Sequence, residues 1–173
     1  MHIRVAQDSD AEQLRAIYNV EVETSTATFD LVPRTLDAQL QWQRARQGAY
    51  VVLVAVSEGV TESSNDADET SQIMGFASLS AYRSRPAYST SAENSVYVDR
   101  RFQGRGVGRT LMDSLIGTAT DRGFHALFAR IAGANVGSVA LHTAVGFEIV
   151  GIERQVGRKF GRWLDVTLMQ RLL

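Results

Sequence analysis

The sequence predicts a mixed α/β domain over residues 1–173, and three observations carry that expectation. Segments with a two-residue apolar period alternate with segments of helical period, in the order β-α-α-β-β-β-α-β-α-β-β. Tyr50 to Val56 is almost wholly apolar, as a strand covered on both faces requires. Glu93 to Val98 reads as a strand that leads into a glycine-rich turn, Gln103-Gly104-Arg105-Gly106-Val107-Gly108-Arg109, which opens a helix. A chain of 173 residues suits one domain and can bury a proper core.

The elements follow in order. His2 to Ala6 alternates like a strand. Ser9-Asp10-Ala11-Glu12 fits a capping box, in which a hydroxyl and a carboxylate satisfy N–H groups at a helix start. Ala11, Leu14, Ile17 and Tyr18 supply that helix with an apolar face. Glu21 to Asp30 is polar and threonine-rich, and predicts a loop facing the active site. Thr35 caps a second helix reaching about Arg46, with Leu36, Leu40 and Trp42 among its apolar positions. Ser57 to Gln72 carries Glu58, Glu62, Asp66, Asp68 and Glu69 among small polar residues, which predicts a long, mobile hairpin connection. Ile73 to Ala81 is the returning strand, and Tyr82 to Tyr88 a basic, aromatic loop before the central strand. Val96, Tyr97 and Val98 favour extended backbone because such side chains fit a pleated surface. From Val107 onward, Leu111, Leu115 and Ala119 recur every fourth residue, and the helix ends near Arg122-Gly123, where glycine adopts the left-handed cap. Ala126–Ile131 is the next strand and Asn135–Ala144 a short helix. Phe147–Glu153 and Leu164–Leu172 close the order.

Composition narrows the function. The formal net charge is −1, so no field for nucleic acid or a membrane surface is expected. The chain has no cysteine, which removes disulfides, thiolate metal sites and cysteine nucleophiles together. Its three histidines are scattered without ligand spacing, so no metal is expected. Met1 to Val5 is too short and polar for a signal peptide, and no apolar run approaches the ~18–20 residues that cross a bilayer. The expectation is a soluble, cytoplasmic protein.

The glycine turn carries the first chemical reading. A helix start leaves N–H groups without internal partners and carries partial positive charge, so it can hold a phosphate. Gly104, Gly106 and Gly108 remove Cβ atoms that would block approach, and Arg105 and Arg109 add formal charge. A pyrophosphate in this turn would leave the rest of its molecule beside the strand. The turn has no Gly-Lys-Ser/Thr ending, and its GxGxG spacing differs from that of dinucleotide folds.

Gln103-x-x-Gly106-x-Gly108 resembles the acyl-CoA pyrophosphate loop of the GNAT superfamily of N-acetyltransferases. Asn135-Val136-Gly137-Ser138-Val139-Ala140-Leu141-His142, ending in Gly146-Phe147, is similar to that superfamily's second cofactor segment. Four further pieces resemble the phosphinothricin and methionine sulfoximine N-acetyltransferases: Ile17-Tyr18-Asn19, Thr24 to Phe29, Glu93-x-Ser95-Val96-Tyr97-Val98, and Val156 to Asp165.

The resemblance implies the GNAT fold, a mixed central sheet with splayed central strands flanked by helices, and acetyl-CoA as co-substrate. It implies that Gln103, Gly104, Arg105, Gly106, Val107, Gly108 and Arg109 hold the pyrophosphate, that the edge of Val96, Tyr97 and Val98 pairs with pantetheine, and that Asn135 and Ser138 contact its arm. Val96 and Val98 serve the core with their side chains; the implied role belongs to their backbone. An N–H near Val98 would face the thioester oxygen. Glu93 would take the amine's proton directly, take it through water, or fix the ammonium electrostatically. His142 stands where many relatives carry a tyrosine that protonates the departing sulfur, and a core or capping histidine is the alternative. Relatives often read Glu-His-Ser where this chain has Glu93-Asn94-Ser95, and Asn94 cannot act as a base. Arg83 and Arg85, with Phe29, Pro86, Ala87 and Tyr88, are candidates for holding a small anionic amino-acid-like acceptor, against which stand solvated loop arginines. The Lys159–Trp163 segment is expected at a homodimer interface, or is an ordinary hairpin capped by Trp163. A polyamine or a protein N-terminus as acceptor, or a non-catalytic acyl-CoA-binding module, are the rival readings.

Overall fold

Val52 to Val56 is buried at every position, because the strand has a neighbour on each edge and a helical layer on each face. The computed structural model describes residues 1–57 and 72–173. Among these the strands are β1 (His2–Val5), β2 (Val52–Val56), β3 (Ile73–Ala81), β4 (Ser91–Val98), β5 (Ala126–Ala132), β6 (Glu148–Lys159) and β7 (Arg162–Leu172). The helices are α1 (Ala11–Thr24), α2 (Leu36–Arg44), α3 (Val107–Asp121) and α4 (Val136–Ala144). The strands form one sheet in the order β1-β2-β3-β4-β5-β7-β6, antiparallel throughout except for β4 and β5. This is the mixed sheet flanked by helices that the sequence predicts.

Two cores hold the layers. On one face Leu111, Met112, Leu115 and Ala119 of α3 pack with Ala77, Leu79, Leu127, Phe147 and Met169. On the other, Leu14, Ile17, Tyr18 and Val22 of α1 pack with Val52, Val54, Ile73 and Phe76. Gly75 lets β3, β4 and α3 meet: a Cβ there would stand 2.7 Å from the Tyr97 carbonyl oxygen and 3.3 Å from Leu111.

Several local expectations need correction. The first helix continues through Thr24, because Val22 extends its apolar face and Arg100 pairs with Glu21 and Thr24 from outside. Its entry is a 3-10 turn, Asp8–Asp10, in which the Asp10 carboxylate accepts from the Gln7 N–H at 2.7 Å and is gripped by Arg4. Ser9 and Glu12 form no capping box; Glu12 pairs with Arg15 instead. Thr35 caps α2 as expected, accepting from the Ala38 N–H at 3.2 Å, but α2 ends at Arg44. Its buried positions are Gln39 and Gln43, hydrogen-bonded to each other and to the Gln7 carbonyl, while Leu36 is 44% exposed. The closing strands extend to a tip at Phe160-Gly161, and bulges after Ile149 and Glu153 break the period that would have revealed β6. The acidic connection lies outside the described residues at 58–71; its flanks are joined by the Ser57 N–H to the Gln72 carbonyl at 2.9 Å.

Candidate active site

β4 follows β3 from Ala92 to Val98, but it pairs with β5 only at Ser91–Ala126, Ala92–Leu127 and Glu93–Phe128. Beyond Phe128, β5 continues against β7 as far as Ala132. The two central strands therefore part after Glu93. The gap opens a cavity of about 520 Å³, lined by Asn94 to Val98 on one side and Ala129 to Ala132 on the other. Backbone groups on that edge of β4 face the cavity instead of a strand. Val96 and Val98 turn their side chains to the α3 core, and Tyr97 turns to the α1 side, against Tyr18 and Phe76.

The glycine turn closes one end of this cavity. Gly104 and Gly106 sit at φ +73° and +82°, the left-handed region where a side chain is strained. A Cβ on either would meet nothing within 4 Å, so both leave open space before the helix. Gly106 is the N-cap of α3 and brings no side chain to it, which leaves the first N–H groups of the helix free for an anion. Gly108 serves helix packing instead, since a Cβ there would come within 3.2 Å of Leu141 and its absence lets α3 and α4 approach. Arg109 is committed to Asp113 and the Ala144 carbonyl, whereas Arg105, over the Phe102 ring, is exposed without a hydrogen bond among the described residues. Gln103 lines the cavity and donates to the Val98 carbonyl at 3.2 Å. Asn135 caps α4, its Oδ1 accepting from the Ser138 N–H at 3.0 Å, and so keeps Nδ2 for a ligand.

His142 and Asn94 lie together beneath the cavity, 2% and 4% exposed. His142 Nδ1 is 2.8 Å from the Ser138 carbonyl oxygen, which only accepts, so the proton is assigned to Nδ1. Nε2 then accepts from Asn94 Nδ2 at 2.9 Å. Asn94 Oδ1 is buried without a hydrogen-bond partner among the described residues. Burial draws the imidazole below its ordinary pKa, against the opposing pull of the Ser138 carbonyl. The folded state thus resists protonation that the unfolded chain accepts below about pH 6.5. This part of the stability is present above that value and is lost as the pH falls through the lowered one. Urea unfolding from pH 7 to about 5 is expected to show the loss, with a shallower slope in His142→Gln; identical slopes would show that the ring contributes nothing.

The opposite face of the sheet gathers charge. Glu93 is half-buried, its carboxyl raised first by burial and then by Glu153, with Arg130, Arg46 and Arg83 drawing it down. It does not line the 520 Å³ cavity but stands at the point where the strands part. Tyr82 stacks on Phe128 at 3.9 Å and meets Tyr88 edge-on, which brings the 82–88 loop beside the partner of Glu93. Arg83 lies over Tyr82, and Arg85 precedes the short turn Pro86–Tyr88. Phe29 is not brought to the cavity: its ring covers Gly157, where a Cβ would stand 2.5 Å away. A second cavity, of about 840 Å³, shares Glu21, Ala27, Gln103 and Asn135 with the first and reaches Trp163.

Residues 3–168 match the Acetyltransferase (GNAT) domain family. The chain belongs to the GNAT acetyltransferase family. A methionine sulfoximine/methionine sulfone acetyltransferase of Pseudomonas paraeruginosa is 39% identical over 97% of this chain and 92% of its own. A phosphinothricin acetyltransferase of Sinorhizobium meliloti, solved in complex with acetyl-CoA, is 34% identical with a TM-score of 0.88, over 99% of this chain and 88% of that one. A solved ribosomal-protein-alanine N-acetyltransferase of Brucella melitensis is 40% identical with a TM-score of 0.90 over the whole of both chains. Within the GNAT enzymes, this N-acetyltransferase falls in the phosphinothricin and methionine sulfoximine group.

Sequence reasoning misses four residues that the fold brings to the candidate site or beside it. Asn94 cannot act as a base, yet it is the hydrogen-bond partner of His142. Arg46 stacks on Trp42 with its Nε unpartnered among the described residues, and burial lowers its pKa to about 10. Arg130 and Glu153 pair across β7. A charge amid the apolar Phe128–Ile131 run is the available signal for Arg130; nothing local marks the others.

Proposed function

We propose that this GNAT enzyme transfers acetyl from acetyl-CoA to the amine of a small, anionic, amino-acid-like acceptor, of the phosphinothricin or methionine sulfoximine kind for which its relatives are named. The parting of β4 from β5 carries the reading, because it lays a free strand edge between an open helix start and a half-buried carboxylate. The residues fit the cofactor: two open glycines and an uncapped helix suit a diphosphate, and an unpaired strand edge suits a chain of amides.

When bound, acetyl-CoA supplies an activated acetyl thioester. The N–H groups of Gly104 to Arg109, with Gln103 and Arg105, hold its diphosphate. The edge of Val96 to Val98, Asn135 Nδ2 and Ser138 hold its arm. An N–H at or beside Val98 would face the acetyl oxygen, where one aimed donor is worth about 2.7–4 kcal/mol. Glu93 removes a proton from the acceptor ammonium, directly or through water, and its raised pKa strengthens it as a base. His142 has no proton on Nε2 in its resting tautomer. To give a proton to the departing sulfur it would have to be protonated at Nε2 and that N–H released from Asn94. Arg83 and Arg85 meet the acceptor's distal acid group, between Pro86, Ala87 and Tyr88. Phe29, its ring over Gly157, would add a further apolar wall for the acceptor.

The relative that acetylates a ribosomal-protein alanine favours a second reading, acceptance of a protein N-terminus. Thiol release from acetyl-CoA, measured on amino-acid sulfoximines and phosphinates, polyamines and an alanine-initiated peptide, decides between them. Turnover on the first group supports the proposal. Turnover confined to peptide or polyamine overturns it, and cofactor binding without turnover on any amine indicates a sensor.

A homodimer through the 159–163 region belongs to the same proposal. Phe160 and Trp163 are 55% and 61% exposed, and Ile149, Val150, Ile152 and Val156 are exposed on the edge strand β6. Lys159 is buried in its own chain, donating to the Thr28 carbonyl at 2.9 Å. Sedimentation velocity is expected to show a dimer that Trp163→Glu weakens; a monomer at micromolar concentration would refute it.

A further inference from the structure

Arg130 has no evident part in packing. Its neighbours Ala129 and Ile131 point into the α3 core, 2% and 5% exposed, while Arg130 projects from the other face. That is the face of Glu93, because Glu93 pairs with Phe128 and Arg130 lies two residues further along β5. By that point β4 has left, so Arg130 stands at the opening and lines the cavity.

The guanidinium is aimed. Its two terminal nitrogens donate to the two carboxylate oxygens of Glu153, at 3.1 and 2.5 Å. Glu153 reaches it from β6 across β7, where Arg130 is opposite Leu168 and Glu153 opposite Val166. Each side chain is about one-third exposed, at 35% and 32%, so the pair is neither sealed nor free. An arginine has five N–H donors. Glu153 occupies one on each terminal nitrogen and leaves Nε–H and the rest without partners among the described residues.

Glu93 feels Arg130 more strongly than any other charge around it, yet the two make no hydrogen bond. The fork is turned to Glu153, and the Glu93 carboxylate makes no side-chain hydrogen bond among the described residues. An unpaired anion and a partly paired cation thus stand on one face at the mouth of the gap. That arrangement complements an ammonium and a carboxylate borne on one carbon.

Resting on the acetyl-transfer reading, we propose that Arg130, oriented by Glu153, binds the α-carboxylate of the acceptor while Glu93 receives its ammonium, so that the site selects α-amino acids over plain amines. Arg83 and Arg85 are then left for the distal acid group. Arg130 is a specificity-determining residue, and Glu153 is a positioning residue that acts through it.

The test compares L-methionine sulfone with its decarboxylated amine, 3-(methylsulfonyl)propylamine, by the ratio of their kcat/KM values. In Arg130→Leu the ratio is expected to fall ~10–100-fold, the loss of a charge-assisted hydrogen bond, mainly through KM for the amino acid. Arg130→Lys keeps the charge without the fork and is expected to restore part of it. Glu153→Gln is expected to lower the ratio less, and Arg130→Leu/Glu153→Gln to be no worse than Arg130→Leu alone, as for residues acting through one contact. Circular dichroism and a thermal melt show that each variant is folded. A ratio within about threefold of the wild type in Arg130→Leu, or additive losses in the double variant, overturns the assignment. Wild-type protein inactive on both compounds overturns the acetyl-transfer reading itself, a separate outcome.

Discussion

Glu93→Gln is expected to lower kcat by ~10²–10⁴ while acetyl-CoA affinity stays unchanged. Glutamine keeps the shape of the side chain but cannot take a proton from the acceptor, and general-base catalysis is worth about that factor. Affinity is spared because Glu93 stands outside the residues that line the 520 Å³ cavity. A pH dependence goes with it. Burial raises the Glu93 carboxyl, with Glu153 adding to it and Arg130, Arg46 and Arg83 opposing. The basic form is the deprotonated one, so kcat/KM climbs as the pH rises through a value above the usual carboxylate range. In Glu93→Gln that limb disappears, leaving only the one set by the acceptor's own amine. Calorimetric titration beside steady-state kinetics reads both quantities; equal losses in binding and turnover would make Glu93 part of the cofactor site or of the fold.

The second large effect is expected at Gly106. Gly106→Val places a branched side chain at φ +82°, in the open space before the first turn of α3. A branched residue there is strained, and its bulk stands where an anion must reach the helix N–H groups. Losing one or two charge-assisted hydrogen bonds weakens binding by roughly 10²–10³-fold. Acetyl-CoA should show the loss in titration, and S-acetylpantetheine, which lacks the diphosphate, should bind both proteins equally. If the fragment weakens in parallel, the change has spread to the strand edge and the turn is not a diphosphate site.

Much of the architecture was legible because its signals are local. The apolar run of β2, the four-residue repeat of α3 and the Thr35 cap each depend on neighbours a turn away. The glycine turn was legible for the same reason, since positive φ at Gly104 and Gly106 is a property of single residues. Local reading failed where a tertiary partner overrode it. Val22 carried α1 past its polar end, a glutamine pair took the buried face of α2 from Leu36, and bulges hid the length of β6.

The sequence by itself determined the order of elements, the position of the glycine turn and the presence of Glu93 at the start of the central strand. Those depend on backbone preference and on spacing along one segment. Only the tertiary structure decided where β4 leaves β5, that Asn94 meets His142 across 48 positions, and that Arg130 turns to Glu153 rather than to Glu93. Each is a meeting of side chains from separate strands or helices. Its geometry is set by how the sheet and the two cores pack, and no spacing along the chain encodes it.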